Sequence, residues 1–442
     1  MSELQLRKLR FRVTGDAAVR RLRPILESPV WAENYGVTWE MVDTAESRVQ
    51  QPLDFVYETT VSREWSEFHS AAGVRNKLSG SSVLEDKARM ALLQRESMSL
   101  PGLATEVMKD VSAVGAWAQE RWGDVRELNV EEDDGKCLVR GMVLSASTIS
   151  LSPIFIFLMI YCVDWWCVKA SKGNGGADVW VIHRGNAGTV VKSLRAGEEY
   201  VVQRYVARPL LWNDRKFHFR AYAVLGAAMK AWLYTGAYIL SASKAYHLSA
   251  ASPDLADDLV HITNLAVNKH TPGHPGQVPC CVQTEYPQLW GGMLALWGSV
   301  VEGAAPFMRE QSSPHHFEFF GLDIIADQSG RVWLIEANRM PGLQSSKQNK
   351  EKEDVFYNDM ILRLVCLVTR HLLFEDEGEI NSDEGEPPAS AAIGGTGLRF
   401  SEVPVGSAGS EANTSSKELW KNVLRFAAYS KKLSSGQVTK SD

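Results

Sequence analysis

Six strand-like runs crowd residues 177–338 of this 442-residue chain, and they restrict its fold more than any other feature. The runs are ADVWVI (177–182), EYVVQRYV (199–206), HFRAYAVLG (218–226), AWLYTGAYIL (231–240), FFGLDIIA (319–326) and RVWLIEAN (331–338). They are rich in Val, Ile, Tyr and Trp and are punctuated by Gly, Asn and Asp, the signature of strands bounded by turns. Helical spacing occurs on either side: Val83, Leu84, Ala88 and Leu92 recur within 83–95, and Val355, Ile361, Leu364, Val365 and Val368 are expected to share one face of 354–373. A sheet flanked by helices predicts an α+β fold. Phe55-Val56-Tyr57 and the 83–95 helix place a small α/β lobe before it, and this length predicts two to four domains.

Lys+Arg 47 against Asp+Glu 53 gives a net charge of -6, which argues against a general nucleic-acid binder. The six cysteines form no framework and no C-x-x-C pair, and the N-terminus lacks the apolar core of a secretory signal, so a reducing cytoplasmic setting is expected. The most apolar stretch, LSPIFIFLMIYCVDWWCV at 151–168, has an unbroken run only from Ile154 to Val163 before Asp164. That is about half of the roughly 20 residues a bilayer crossing needs. No membrane span is expected there. A buried strand or a segment wrongly retained in the gene model remains open.

Residues 1–25 hold seven basic side chains (Arg7, Lys8, Arg10, Arg12, Arg20, Arg21, Arg23) against two acidic ones. They form either a solvated face or a dock for an acidic partner. After Phe374 the composition turns to EDEGEINSDEGEPPASAAIGGTG, where the folded body is expected to end. Within this mostly disordered tail, 417–433 has the spacing of a short amphipathic helix.

Three constellations carry chemistry. In WCVKASKGNGGADVWVI (166–182) a strand delivers Lys169 into a loop with Ser171, Lys172, Gly173, Gly175 and Gly176. Glycines let backbone N–H groups approach an anion and lysines neutralise phosphate. The P-loop spacing is absent, and a plain Gly-rich hairpin is the alternative. In the second, Asp323 and Glu336 are expected on neighbouring antiparallel strands joined by the turn 327–330, with Glu336 and Asn338 on one face. These oxygens suit a hard divalent cation such as Mg²⁺, and an unpaired carboxylate directly after the apolar run 332–335 would be costly. The third joins QRYVARPLLWNDRKFHFR (203–220) to HITN (261–264): Gln203 and Tyr205 beside a purine pocket, Lys216 and Arg220 on one strand face, and Asn264 near phosphate or ribose.

In this order the three sets resemble the tubulin–tyrosine ligase and ligase-like family of the ATP-grasp superfamily. The matching stretches are W-x-V-K-x-S-x-G-x-x-G at 166–176, V-Q-x-Y-x-x-x-P-L-L at 202–211, R-K-F-x-x-R at 215–220, H-x-T-N at 261–264 and V-W-L-I-E-x-N-x-x-P at 332–341. The resemblance covers about 75–374 and implies an ATP-grasp fold, with nucleotide held between two antiparallel β-rich lobes and a small N-terminal α/β lobe. The implied division is 1–95 as N-terminal lobe, 96–205 as central lobe with the phosphate cradle, 206–374 as C-terminal lobe with the metal site, and 375–442 as tail.

By the same resemblance Lys169 and the 171–176 loop bind phosphates, and Gln203, Arg204, Tyr205 and Val206 line the adenine site. Lys216, His218, Arg220 and Asn264 contact nucleotide or the reacting carboxylate. Asp323, Glu336 and Asn338 hold Mg²⁺, and Lys169 and Arg220 are catalytic. Two positions depart from the family: His218 stands where Asp is usual, and an Arg usual near Leu240 is missing. The expectation is an ATP-dependent carboxylate–amine ligase that joins a free amino acid to a protein tail, with the acidic C-terminal tail of tubulin as partner in a cytoplasmic, microtubule-associated setting. A catalytically silent nucleotide- and microtubule-binding protein is the alternative. A small-molecule peptide-forming ligase fits R-K-F-x-x-R and V-W-L-I-E-x-N less well.

Overall fold

The computed structural model describes residues 6–42, 53–59, 73–96, 102–122, 137–139, 142–144, 165–172, 178–248, 257–308, 313–346, 349–373 and 398–405. The first lobe is a parallel sheet in the order β2-β1-β3-β4, built from β1 (Arg7–Val13), β2 (Val37–Met41), β3 (Phe55–Tyr57) and β4 (Val74–Arg75). Helices α1 (Asp16–Leu26) and α2 (Val30–Tyr35) make the crossover between β1 and β2, as a parallel pair requires.

Two short helices follow, α3 (Ser82–Glu85) and α4 (Lys87–Glu96), where the sequence predicts one; extended backbone at Asp86 separates them. The second sheet is antiparallel in the order β5-β10-β8-β9. Its members are β5 (Thr105–Met108), β8 (Trp166–Ala170), β9 (Val179–Ile182) and β10 (Tyr200–Arg204), with α5 (Val111–Trp122) and α6 (Ala187–Ser193) packed on it. A separate hairpin joins β6 (Cys137–Val139) to β7 (Met142–Leu144). Alternation sorts the faces. Trp166, Val168, Tyr200 and Val202 enter a core with Val114 and Trp117, and the residues between them face the other way.

The third sheet runs β14-β13-β12-β15-β16, all antiparallel. It comprises β11 (Leu211–Trp212), which pairs with β12 (Arg215–Gly226), then β13 (Ala231–Ser241), β14 (Gln277–Cys281), β15 (Phe317–Ala326) and β16 (Val332–Arg339). Helices α7 (Asp258–His261), α8 (Leu265–Asn268) and α9 (Val282–Glu285) lie in the connections. α10 (Pro287–Ala304) buries Leu289, Met293, Leu296, Trp297 and Val300. Pro287 at its first turn and apolar residues three and four apart mark this helix inside a stretch whose composition otherwise points to strands.

α11 (Lys350–Val368) and α12 (Arg370–Leu373) follow the third sheet, and Tyr222, Phe317, Phe319, Phe356, Met360 and Ile361 form one apolar cluster with Phe11, Trp31, Trp39 and Phe55 of the first lobe. Val355 was expected on the buried face of α11 but is 56% exposed, because it sits about 200° around the helix from buried Glu353. The body does not end at Phe374. Strand β17 (Phe400–Val403) pairs with β13, and Leu398 and Phe400 pack into the same cluster, an apolar return that the preceding acidic composition conceals. The segments 151–164 and 417–433 lie outside the described residues. Among the described residues no helix is long and apolar enough to cross a membrane.

A buried carboxylate joins the first lobe to the third sheet. Glu318 on β15 accepts from Ser81 Oγ at 2.6 Å and from Leu78 N–H at 3.4 Å, with Arg339 Nη1 3.8 Å away. Burial pushes its carboxyl up to about 7 although Ser81 and Arg339 pull it down. A carboxyl raised from 4.5 to about 7 in the folded state leaves stability untouched below 4.5, erodes it as pH rises through that window, and removes about 3 kcal/mol above it. Glu318→Gln keeps an acceptor for Ser81 and Leu78. Urea unfolding at pH 4 and pH 8 is expected to show equal stabilities at the lower pH and a more stable variant at the higher. A variant weaker than wild type at pH 8 would refute the assignment.

Candidate active site

The second and third sheets meet at a cavity of about 460 Å³. From β8 and β10 come Cys167, Lys169 and Gln203, the residues alternating with the Trp166–Val168 core. Lys169 Nζ donates to Gln203 Oε1 at 2.8 Å, and Gln203 Nε2 lies 3.4 Å from both Gln94 Oε1 and Thr105 Oγ1. Burial draws the Lys169 ammonium below its usual value. Arg204 lines the cavity too, while its guanidinium rests 5.5 Å over the Trp166 ring.

Even-numbered residues of β12 supply Lys216, His218 and Arg220. Lys216 Nζ donates to the His261 carbonyl at 2.9 Å and sits 4.0 Å over the Tyr205 ring, and burial pushes its ammonium down to about 8. Tyr205 and Val206 form an adjoining wall, the Tyr205 hydroxyl 3.0 Å from His261 Nδ1. Thr263 Oγ1 lies 2.6 Å from His218 Nδ1, and Asn264 caps α8 by accepting from Ala266 N–H at 2.8 Å. Leu240, opposite His218 on β13, is buried and apolar.

Asp323 on β15 is opposite Arg220 on one side and Glu336 on the other. Arg220 grips its carboxylate with two bonds, Nε to Oδ1 at 2.5 Å and Nη2 to Oδ2 at 3.0 Å, and His218 Nε2 is 3.5 Å from Oδ1. Burial opposes ionisation of Asp323, but these neighbours outweigh it and hold the carboxyl far below its ordinary range. Asn338 Nδ2 donates to Glu336 Oε1 at 3.0 Å. A register shift in the hairpin between Asp323 and Ile324 accounts for the presence of Glu336. Ile324 faces Leu334, so a regular ladder would set Asp323 against Ile335 and turn Glu336 to the other face. The extra residue brings both Ile335 and Glu336 into the cavity lining.

Every sequence-predicted site residue among the described ones reaches this cavity except Ser171 and Lys172. Ser171 N–H instead donates to the Glu199 carbonyl at 2.8 Å, closing the strand. Gly173, Gly175 and Gly176 lie outside the described residues. Lys87, Glu85 and Arg339 also line the cavity and were missed; Lys87 Nζ is 3.9 Å from Glu336 Oε2, and Arg339 bonds Glu85. Only the fold brings α3 and α4 against β16, so no spacing in the sequence points to them.

The basic character of 1–25 is largely consumed internally. Arg12 is 4% exposed, Lys8 and Arg10 face Glu40, Arg23 pairs with Glu27, Arg7 bonds the Leu372 carbonyl, and Arg21 pairs with Asp354. Lys8, Arg20 and Arg23 stay exposed, but Lys8 and Arg23 are paired with Glu40 and Glu27, which leaves little net positive charge for an acidic tail. The solvated-face reading therefore fits this segment better than the dock.

The donor set suits a metal–nucleotide complex. Two carboxylates and an amide converge from paired strands, the buried ammonium groups of Lys169 and Lys216 line the same cavity, and Val179, Ile262, Ile325 and Ile335 add apolar surface for a flat ring.

Residues 137–282 match the family profile described as Tubulin-tyrosine ligase family, and 302–364 match the YheC/D like ATP-grasp profile. A probable tubulin polyglutamylase of Bos taurus is 29% identical over 217 residues, 44% of this chain and 46% of the relative. A probable tubulin–tyrosine ligase of Schizosaccharomyces pombe is 28% identical over 163 residues, 34% of this chain and 38% of the relative. A protein monoglycylase of Homo sapiens is 26% identical over 206 residues, 41% of this chain and 24% of the relative. The chain thus spans less than half the length of each.

Proposed function

Since the chain belongs to the tubulin–tyrosine ligase family and has the ATP-grasp fold, we propose that it is an ATP-dependent carboxylate–amine ligase that adds an amino acid to a protein tail, with tubulin as acceptor. The observation that carries this reading is the gathering of Lys169, Lys216 and Arg220 with Asp323, Glu336 and Asn338 around one cavity. When bound, magnesium screens charge among the phosphates, and ATP supplies the phosphoryl group that turns an unreactive carboxylate into an acyl phosphate.

The protein contributes position and fixed charge. Asp323, Glu336 and Asn338 hold the cation; Lys169 and Arg220 offset the negative charge where carboxylate and phosphate meet; Lys216 and the Gln203–Val206 edge hold the nucleotide. No side-chain nucleophile is needed. Glutamate, glycine and tyrosine, the additions named among the relatives, are the candidate donors, and a tubulin acceptor implies work in the cytoplasm at microtubules.

A second reading, nucleotide binding without ligation, is favoured by buried Leu240 where the family's Arg would supply a guanidinium and by His218 beside Asp323. Incubation with tubulin, Mg·ATP and each labelled amino acid, followed by mass spectrometry of the tubulin tails, separates the two. ATP-dependent incorporation of one amino acid is the expected result. Nucleotide binding with no incorporation of any of the three would transfer the assignment to the silent reading.

A further inference from the structure

Arg21, counted by its sequence neighbourhood among docking cations, makes the most connected side-chain contact between the first lobe and the strap 340–346. Its Nε donates to the Leu343 carbonyl at 2.9 Å, its Nη2 to Ser345 Oγ and Asp354 Oδ1 at 2.5 Å each, and its Nη1 to Asn358 Oδ1 at 3.4 Å. The guanidinium also lies 5.3 Å from the centre of the Tyr357 ring. One side chain of α1 thus binds the strap and α11 together, the planar use of several donors that an arginine permits and a lysine does not.

The strap continues directly from Glu336 and Asn338. Its first residues, Met340, Pro341 and Gly342, line the nucleotide cavity, and its next, Leu343 and Ser345, are the ones Arg21 holds. Met340 has φ +50°, a left-handed conformation that a residue other than glycine keeps only where its surroundings fix it. The fixing contacts are the Met340 N–H bond to the Phe319 carbonyl at 3.0 Å upstream, the Arg21 fork in the middle, and Ser346 donating to Glu353 from both its N–H and its Oγ at 2.6 Å downstream. Upstream and downstream ties belong to the third sheet and α11. Arg21 alone among these comes from the first lobe.

We infer that Arg21 is a positioning residue for nucleotide binding, holding the strap 340–346 in the conformation that sets the cavity floor behind Glu336 and Asn338. The inference rests on the reading of this cavity as the nucleotide site, and its test therefore has two readouts. The full chain and its Arg21→Ala, Arg21→Lys and Ser345→Ala variants are titrated with a fluorescent ATP analogue at several Mg²⁺ concentrations, and amide hydrogen exchange is followed across 340–346 without nucleotide.

Arg21→Ala is expected to weaken Mg·nucleotide binding about tenfold, the equivalent of ~1.4 kcal/mol from a lost charge-assisted bond, and to speed exchange within 340–346 above the rest of the chain. Arg21→Lys should fall between, because an ammonium replaces part of the fork. Ser345→Ala removes one partner and should shift both readouts the same way by less, so the inference stays testable if Arg21→Ala does not fold. Unchanged affinity and unchanged local exchange in a folded Arg21→Ala overturn the inference. So does loss that is uniform over the whole chain with Ser345→Ala silent. If the wild type binds no nucleotide, the ligase reading fails, and local exchange alone then decides whether Arg21 holds the strap.

Discussion

Asp323→Ala is expected to destabilise the folded chain by about 3–5 kcal/mol and to abolish Mg-dependent nucleotide binding. The side chain of Asp323 is 6% exposed and that of Arg220 22%, so removing the carboxylate strands a guanidinium that has little water to replace it. The pair is not itself a strong source of stability, since desolvating both ions cancels much of their attraction. Replacing both, as Arg220→Met with Asp323→Leu, should therefore recover most of the lost stability in urea unfolding while leaving nucleotide binding absent. Recovery of binding in that double variant would remove Asp323 from the proposed metal set. Linkage sets the pH sense: a carboxyl held below its unfolded value contributes stability above the ordinary carboxylate range, and the contribution disappears as pH falls below it.

Lys169→Met should do the reverse, reducing ATP-dependent amino-acid incorporation by about 10²–10³ while barely changing stability. Burial disfavours the charged amine, so the unfolded state gains more from its protonation than the folded state does, and an apolar replacement removes that penalty at neutral pH. Against this stands the Gln203 carbonyl oxygen left without its donor, a loss of about 1 kcal/mol. The two act in opposite directions. A thermal scan beside a single-turnover assay tests the separation: an inactive but equally stable protein is expected, and full activity would reduce Lys169 to a buried structural amine.

Much of the candidate site was legible because strand periodicity is local. Lys216, His218 and Arg220 share a face by their even spacing, as do Glu336 and Asn338, and composition alone marks the runs that carry them. The turn 327–330 is local as well, closed by Gly330 at φ +82° and by Asp327 N–H bonding the Arg331 carbonyl at 2.9 Å. Lys87, α10 and β17 were not foreseen in their roles. The position of each depends on which distant surface it meets, and neighbouring residues do not encode that.

The sequence by itself therefore determined the strands, their order of chemistry-bearing residues and the family to which the chain is similar. Tertiary structure decided which charges oppose one another. It drew Arg21 of the basic segment onto the strap and buried Arg12, because a cation's role depends on carboxylates and carbonyls that its sequence neighbours do not reveal. It also decided that Glu336 faces Asp323. The alternation of β16 taken alone sends Glu336 to the opposite face from Ile335, and one unpaired residue in the hairpin reverses this; register is fixed by pairing with a partner strand, which no strand specifies alone.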